Sequence, residues 1–387
     1  MKNFCSWIYR VRFEAIAVIC FVVGFYVRLQ RLAGRSLWGD EIYQLSMTTG
    51  AFKPVWLRLG NGEPVPFPGD YLLKWPFVHF LGTQNKWLIN SPHYVATLLA
   101  FWLFYKIGKK YIVSWIAFAI AFIFMTFNQW LVYHAFEFRS YAVLPTLALA
   151  CFYFADMLFP VTGQDNAQLL SQSKRIGIGI FFFFVTIYHA YGLLMVVSCL
   201  FFVILRQWPR RRLNEIMKGQ GAFFIIFAVL LSTSFFWFLS GGQEFTRAQC
   251  LARGIGTFDY IINPLVNPAR FLSTVASCLM GFKKFKVNLL IWGVLAAYIV
   301  PYQNKKDHLL FFLILIVIPI EAMLTADVLK GYWFLQRQFV WVMPFFALLI
   351  GWSWDIILNY TKLKFETKII TNFSKKIISY CVQEKFK

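Results

Sequence analysis

Apolar residues do not alternate with polar ones along this chain, and they do not mark one stripe of isolated amphipathic helices. They come in solid runs. Residues 15–27, 94–107, 112–127 and 309–320 carry few charges or none, and similar runs recur from end to end. An α-helix rises about 1.5 Å per residue, so about 20 apolar residues cross a hydrocarbon layer of about 30 Å. The pattern predicts an all-α integral membrane protein. A transmembrane β-barrel would need apolar and polar positions to alternate, which these runs do not.

Ten transmembrane helices fit the runs, with both termini on the cytoplasmic side. They are expected at 13–27, 92–107, 111–127, 141–159, two within 176–205, then 222–239, 287–302, 309–329 and 339–358. The stretch 176–205 is too long for one untilted helix. Its polar cluster Tyr188-His189-Ala190-Tyr191-Gly192 predicts a break at the outer surface. Residues 1–358 then form one transmembrane domain, with a first outer loop at 28–91, a second at 240–286, and a basic cytoplasmic tail at 359–387. In the first outer loop, Pro64, Pro66 and Pro68 disfavour a helix. A short juxtamembrane helix is expected from Asp70 onward. Arginines crowd the segment after the first run, which makes it a poor signal-peptidase site and favours an uncleaved signal anchor.

Composition agrees. The chain has 387 residues, 59% hydrophobic and 14% charged, with a formal net charge of +21. Much of the positive charge falls in short segments between runs, such as YKIGKK and RQWPRRRLNEIMK, and in the Lys-rich tail. That is the signature of cytoplasmic loops under the positive-inside rule, and it argues against nucleic acid as a partner. The localisation expected is an inner (plasma) membrane, with membrane lipids as neighbours. The acids Asp40, Glu41, Glu63, Asp70, Glu137, Glu244, Asp259 and Asp327 fall in outer segments, so chemistry is expected at the extracytoplasmic face.

The densest candidate is SLWGDEIYQL, residues 36–45, where Asp40 and Glu41 follow Arg28, Arg31 and Arg35. The plain reading is a solvated loop whose acids offset nearby bases. The functional reading is a carboxylate held at the interface, where desolvation brings a general base toward its working range. In HAFEFRSYAVL, Glu137 and Arg139 are expected to open the fourth helix. Glu137 then either favours the helix N-terminus or joins Asp40, with Arg139 on a phosphate. His189 reads equally as a hydrogen-bonded structural residue or a ligand contact. Glu321 lies inside an expected span, which makes it a functional suspect. Arg337, ringed by aromatics, either snorkels to the interface or binds a lipid phosphate. There is no HExxH, no DxD and no phosphate-binding glycine loop. A soluble nucleotide donor is therefore not expected. Asp40 with Glu41 or Glu137 could hold Mg2+ or Mn2+ through oxygen, though nothing in the sequence requires it.

These motifs together resemble the GT-C glycosyltransferases, polytopic enzymes that use polyprenyl-phosphate sugars. Among them are protein O-mannosyltransferases, the aminoarabinose transferase of lipid A and the lipopolysaccharide-core uronosyltransferases. RLxxxSLWGDE is similar to the family's RLxxxSLWxDE. PFPGDYLLKWPFVHFLG, NSPHYVATLLAFWLFYKIGKKY and YHAFEFRSYAVL resemble its juxtamembrane stretch, second helix and SxEaRxYaL motif, in the same order. YHAYGLLMV and QRQFVWVMP also have counterparts. The chain departs from the family where Val65-Pro66-Phe67-Pro68 replaces His-Pro-Pro, and where Asn90-Ser91-Pro92-His93 replaces Arg-Leu-Pro-Ser. The resemblance implies a GT-C fold with juxtamembrane helices in the first outer loop, and transfer of a sugar to a hydroxyl of a glycan, lipid or protein. It implies Asp40 as catalytic carboxylate and Glu41 as its partner, with Glu137, Arg139 and Arg337 in family positions. Displacement of an anionic leaving group by an acceptor hydroxyl, without a covalent intermediate, implies inversion. The competing reading is a lipid or glycolipid transporter or flippase, for which Glu321 and the break at His189 are the best support. A third is an O-antigen ligase or polymerase.

Overall fold

In a computed structural model of the chain, the described residues are 2–49, 68–159, 170–207, 297–300, 302, 305–322 and 339–362. Among them every regular element is helical and there is no strand. Helix α1 spans Lys2–Ala33, α2 Gly39–Thr48, α3 Pro68–Leu81, α4 Lys86–Ile89 and α5 Ser91–Tyr111. Helix α6 spans Trp115–Phe127, α7 Gln129–His134, α8 Leu144–Leu158, α9 Gln172–Tyr188 and α10 Ala190–Gln207. Helix α11, Lys305–Phe312, runs into a π-helical turn at Leu313–Val317. A last helix, α12, covers 343–362.

Local chemistry sets these boundaries. Asn128 ends α6 and opens α7, its Oδ1 accepting the Trp130 and Leu131 N–H groups at 3.0 and 3.1 Å. Asn85 caps α4 in the same way. Pro92 and Pro145 sit in the first turns of α5 and α8, where a missing N–H costs nothing. Lys109 and Lys110 lie at the C-terminus of α5, where the helix dipole favours positive charge. The polar break inside 176–205 falls at His189, between α9 and α10, as the sequence predicts.

Helices thus occur where the first six spans were expected, but several are shorter. Among the described residues one helix, over Val11–Ala33, is long and apolar enough to cross a membrane by length and composition. Trp115–Phe127, Leu144–Leu158 and Tyr191–Arg206 are apolar but shorter. The cause is visible at α8. It starts at Leu144 rather than 141 because a 3-10 turn, Ser140–Ala142, precedes it. Glu137 and Arg139 therefore lie in the loop before α8, not in its first turn as expected. Residues 222–239, most of 287–302, the second outer loop at 240–286, Glu63, Arg337 and the tail beyond residue 362 lie outside the described residues.

Helix α8 is central. It packs on α5 and α10, while α1 lies along α6 and α9 pairs with α10. The apolar core joins these helices to α12. At the C-terminal end of α8, Asp156 accepts from Tyr111 Oη at 3.1 Å, Arg206 at 2.7 Å and Lys110, tying α5, α8 and α10 together. Asp355 of α12 accepts the N–H groups of Val113 and Ser114 at 3.2 and 2.5 Å. Outward faces are apolar too: Val18, Ile19 and Val22 on α1, Leu98, Leu99 and Trp102 on α5, and Ile116 and Ile123 on α6 are all exposed.

Candidate functional site

The other end of α8 holds the candidate site, built where α2, α3 and the α7–α8 loop meet. Helix α2 begins one residue after Trp38, and its third residue, Glu41, turns back to accept the Trp38 backbone N–H at 3.2 Å. This is half of a capping box, and it explains why a Glu stands at that position. The same carboxylate receives Arg35 in a fork, at 2.6 and 2.9 Å, and the Phe138 N–H at 2.5 Å. Glu41 is 0% exposed, and its two oxygens accept four N–H donors. That is the full capacity of a carboxylate. Arg35 also donates to the Phe136 carbonyl at 2.7 Å. Glu41 and Arg35 therefore clamp the start of α2 to the α7–α8 loop.

Glu137, in that loop, is 1% exposed. It accepts from the Trp38 indole at 3.1 Å and from His134 Nδ1. Asp40 differs from both. Its side chain keeps 27% exposure, and Arg139, 22% exposed, lies 3.9 Å away and also reaches the Asp40 carbonyl at 3.4 Å. A carboxylate and a guanidinium thus stand side by side at the surface of an otherwise closed acidic cluster.

A second buried cluster adjoins the first. Asp70, in the first turn of α3, accepts from Lys74 at 2.8 Å, from Tyr188 Oη at 2.6 Å and from Gln44 of α2. Lys74 is fully buried, its ammonium 4.7 Å from the centre of the Phe138 ring. Burial lowers the Lys74 pKa, and the neighbouring Asp70 opposes that shift. Gly69 makes this packing possible. A Cβ there would meet Tyr188 Cα at 2.6 Å, so α3 lies directly on the end of α9. His189 follows. Its ring stands 5.7 Å from Tyr141, and its Nδ1 accepts the Tyr191 N–H at 3.3 Å. Burial holds its imidazole down to about 4, with Asp70 opposing and Arg139 reinforcing the shift.

Of the residues singled out from sequence, Arg35, Asp40, Glu41, Glu137 and Arg139 come together, and His189 borders the cluster. Arg28 and Arg31 do not pair with these acids, because α1 continues to Ala33 and sets them against the end of α6 and against α7. Arg28 is buried and donates to the carbonyls of Gly24, Thr126 and Met125 at 2.8, 3.1 and 3.2 Å. Arg31 lies 3.8 Å over the Tyr133 ring. Glu321 is exposed. Sequence reasoning missed Gln44, Lys74, His134 and Tyr188 as members of the site. The signal for two of them was present. Glu41, Gln44 and Thr48 form an inward polar stripe on α2, and Asp70 and Lys74 are spaced i, i+4.

Among the described residues no group of three His, Cys, Asp or Glu is placed to hold a metal ion. Glu41 and Glu137 already accept N–H donors on both oxygens. A cation at Asp40 would draw its remaining ligands from water or substrate. No protein-family model, curated protein or solved structure matches this chain.

Proposed function

We propose that the chain is an integral-membrane glycosyltransferase on a GT-C-type helical scaffold. It moves a sugar from a polyprenyl-phosphate donor to a hydroxyl acceptor at the extracytoplasmic face. The observation that carries this reading is the division of labour among three neighbouring acids. Glu41 and Glu137 are buried, the first with four donors and the second with a donor on each oxygen, while Asp40 keeps solvent access beside Arg139. The exposed apolar faces of α1, α5 and α6 support a lipid surround. A donor anchored by its polyprenyl tail would bring its sugar to such a site.

The chemistry follows from the pair. Asp40 accepts the proton of the acceptor hydroxyl as its oxygen attacks the anomeric carbon. The bond from that carbon to the phosphate oxygen breaks, and the polyprenyl phosphate leaves as an anion. Arg139 offers hydrogen bonds to the charge that develops on it. Attack opposite the leaving group inverts the configuration. The Arg35–Glu41 clamp keeps Asp40 on the first turn of α2 at a fixed distance from Arg139.

The test is reconstitution of the full chain in lipid vesicles with a polyprenyl-phosphate sugar and bacterial membrane extract as acceptor. Release of polyprenyl phosphate and a matching mass gain on an acceptor are expected. Movement of the intact glycolipid between leaflets without any such release would replace this reading with a flippase.

A further inference from the structure

We propose that a groove beside the Arg35 clamp binds the saccharide portion of the acceptor. The groove has a volume of about 780 Å3 and runs between the end of α1 and the turn joining α3 to α4. The inference rests on the transferase reading for its role, but the groove's chemistry stands apart from it.

Three observations define the ligand. The first is the supply of neutral hydrogen-bonding groups. Ser36, Thr83, Gln84 and Asn85 line the groove and are exposed. Hydroxyl and amide groups both donate and accept, which suits the paired donor and acceptor character of sugar hydroxyls. The second is Trp87, which lines the same groove and is 40% exposed. Its indole presents a broad apolar face, against which the C–H face of a pyranose ring packs. The third is the state of the two cations in the wall. Lys86 directs its ammonium to the carbonyls of Leu32, Ala33 and Arg35 at 2.9, 3.1 and 2.7 Å, using all three N–H groups. Arg35 is held by Glu41 and the Phe136 carbonyl. The Lys86 ammonium has no N–H left for an anion, and Arg35 gives three of its five N–H groups to Glu41 and the Phe136 carbonyl, so the wall favours a neutral ligand over a phosphate headgroup.

The wall is also shaped for the task. Gly82 has φ +78°, a left-handed conformation that lets α3 turn into α4 within four residues. Asn85 caps α4 through Oδ1, which leaves its amide N–H2 for a ligand. Arg35 belongs both to this groove and to the clamp that orients α2. A saccharide seated here would therefore adjoin the start of α2, which carries Asp40.

Saturation-transfer difference NMR on the detergent-solubilised full chain tests the proposal, with mannotriose and maltotriose as probes. Transfer to the ring protons of at least one trisaccharide is expected, falling threefold or more in Trp87→Ala and in Gln84→Ala, and unchanged in Ser173→Ala, an exposed residue at the start of α9. No transfer to either trisaccharide, or equal signal in the wild type and Trp87→Ala, would overturn it. If dihexanoylphosphatidylglycerol gives the Trp87-dependent signal instead, the groove is a lipid surface and the proposal fails. Loss of sugar transfer in Asp40→Asn alongside an unchanged Trp87→Ala would sink the groove and leave the transferase reading intact. Retained sugar transfer in Asp40→Asn would overturn the role given to Asp40 and leave the groove standing.

Discussion

Replacing Glu41 by Gln separates structure from chemistry more sharply than any other single change in the cluster. The side chain is buried and accepts both arms of Arg35 together with the Trp38 and Phe138 N–H groups. Gln has nearly the same shape but presents an N–H2 where a charged oxygen stood. Arg35 loses its counter-charge, and one buried N–H loses its acceptor. Breaking a fully buried pair costs about 3–5 kcal/mol. Arg35 keeps 21% exposure and its bond to the Phe136 carbonyl, so screening lowers the cost to about 2–3 kcal/mol. A chain of 387 residues unfolds with about 2 cal/mol/K of entropy per residue, so this corresponds to a fall in melting temperature of roughly 3–4 °C. Asp40→Asn touches a partly exposed group whose ion pair spans 3.9 Å, and it should cost about 0–1 kcal/mol. The assay is thermal unfolding of both purified variants in one detergent. Equal melting temperatures for Glu41→Gln and Asp40→Asn would refute the division of roles drawn between the two acids.

Other outcomes follow from the same contacts. Lys74→Met leaves Asp70 buried without its counter-charge and should destabilise by about 3–5 kcal/mol; the double variant Asp70→Asn with Lys74→Met should recover most of that in the same melting assay. Gly69→Ala places a methyl group 2.6 Å from Tyr188 Cα and should lower the folded yield, as read by size-exclusion chromatography. The His189 imidazole is held at about 4 against an ordinary 6.5. The folded state thus keeps it neutral where the unfolded chain already binds a proton, and its contribution, present above about pH 6.5, is lost as the pH falls toward 4. A pH series of melting temperatures on His189→Gln should show a shallower acid slope than the wild type.

Much of this arrangement was legible in the sequence, and what was not has physical causes. The solid apolar runs located α1, α5, α6, α8, α9 and α10, but not the short helices α2, α4 and α7, and the polar cluster at 188–192 located the break between α9 and α10. A short helix after Pro68 was also expected. Local spacing brought Arg35 to Glu41, because a base six residues before the acid lies within reach of it once α1 ends at Ala33. The contacts from the start of α2 to the α7–α8 loop link residues about 100 apart, and only motif order suggested them. Arg28 and Arg31 misled for a simple reason. Proximity in sequence says nothing about which side of a continuing helix a residue faces, and on α1 both meet α6 and α7 instead of the acids. Lys74 was overlooked because a lysine near an expected interface reads as a solvated charge; its burial depends on Tyr188 and Phe138 arriving from distant segments. The start of α8 was misplaced because a 3-10 turn preserves helical composition.

The most direct measurement is sugar transfer by Asp40→Asn in membranes, normalised to the amount of folded protein and compared with the wild type. If Asp40 is the group that takes the acceptor's proton, transfer falls by at least a hundredfold while the melting temperature stays within about 1 °C. Transfer at the wild-type rate by folded Asp40→Asn would contradict the account.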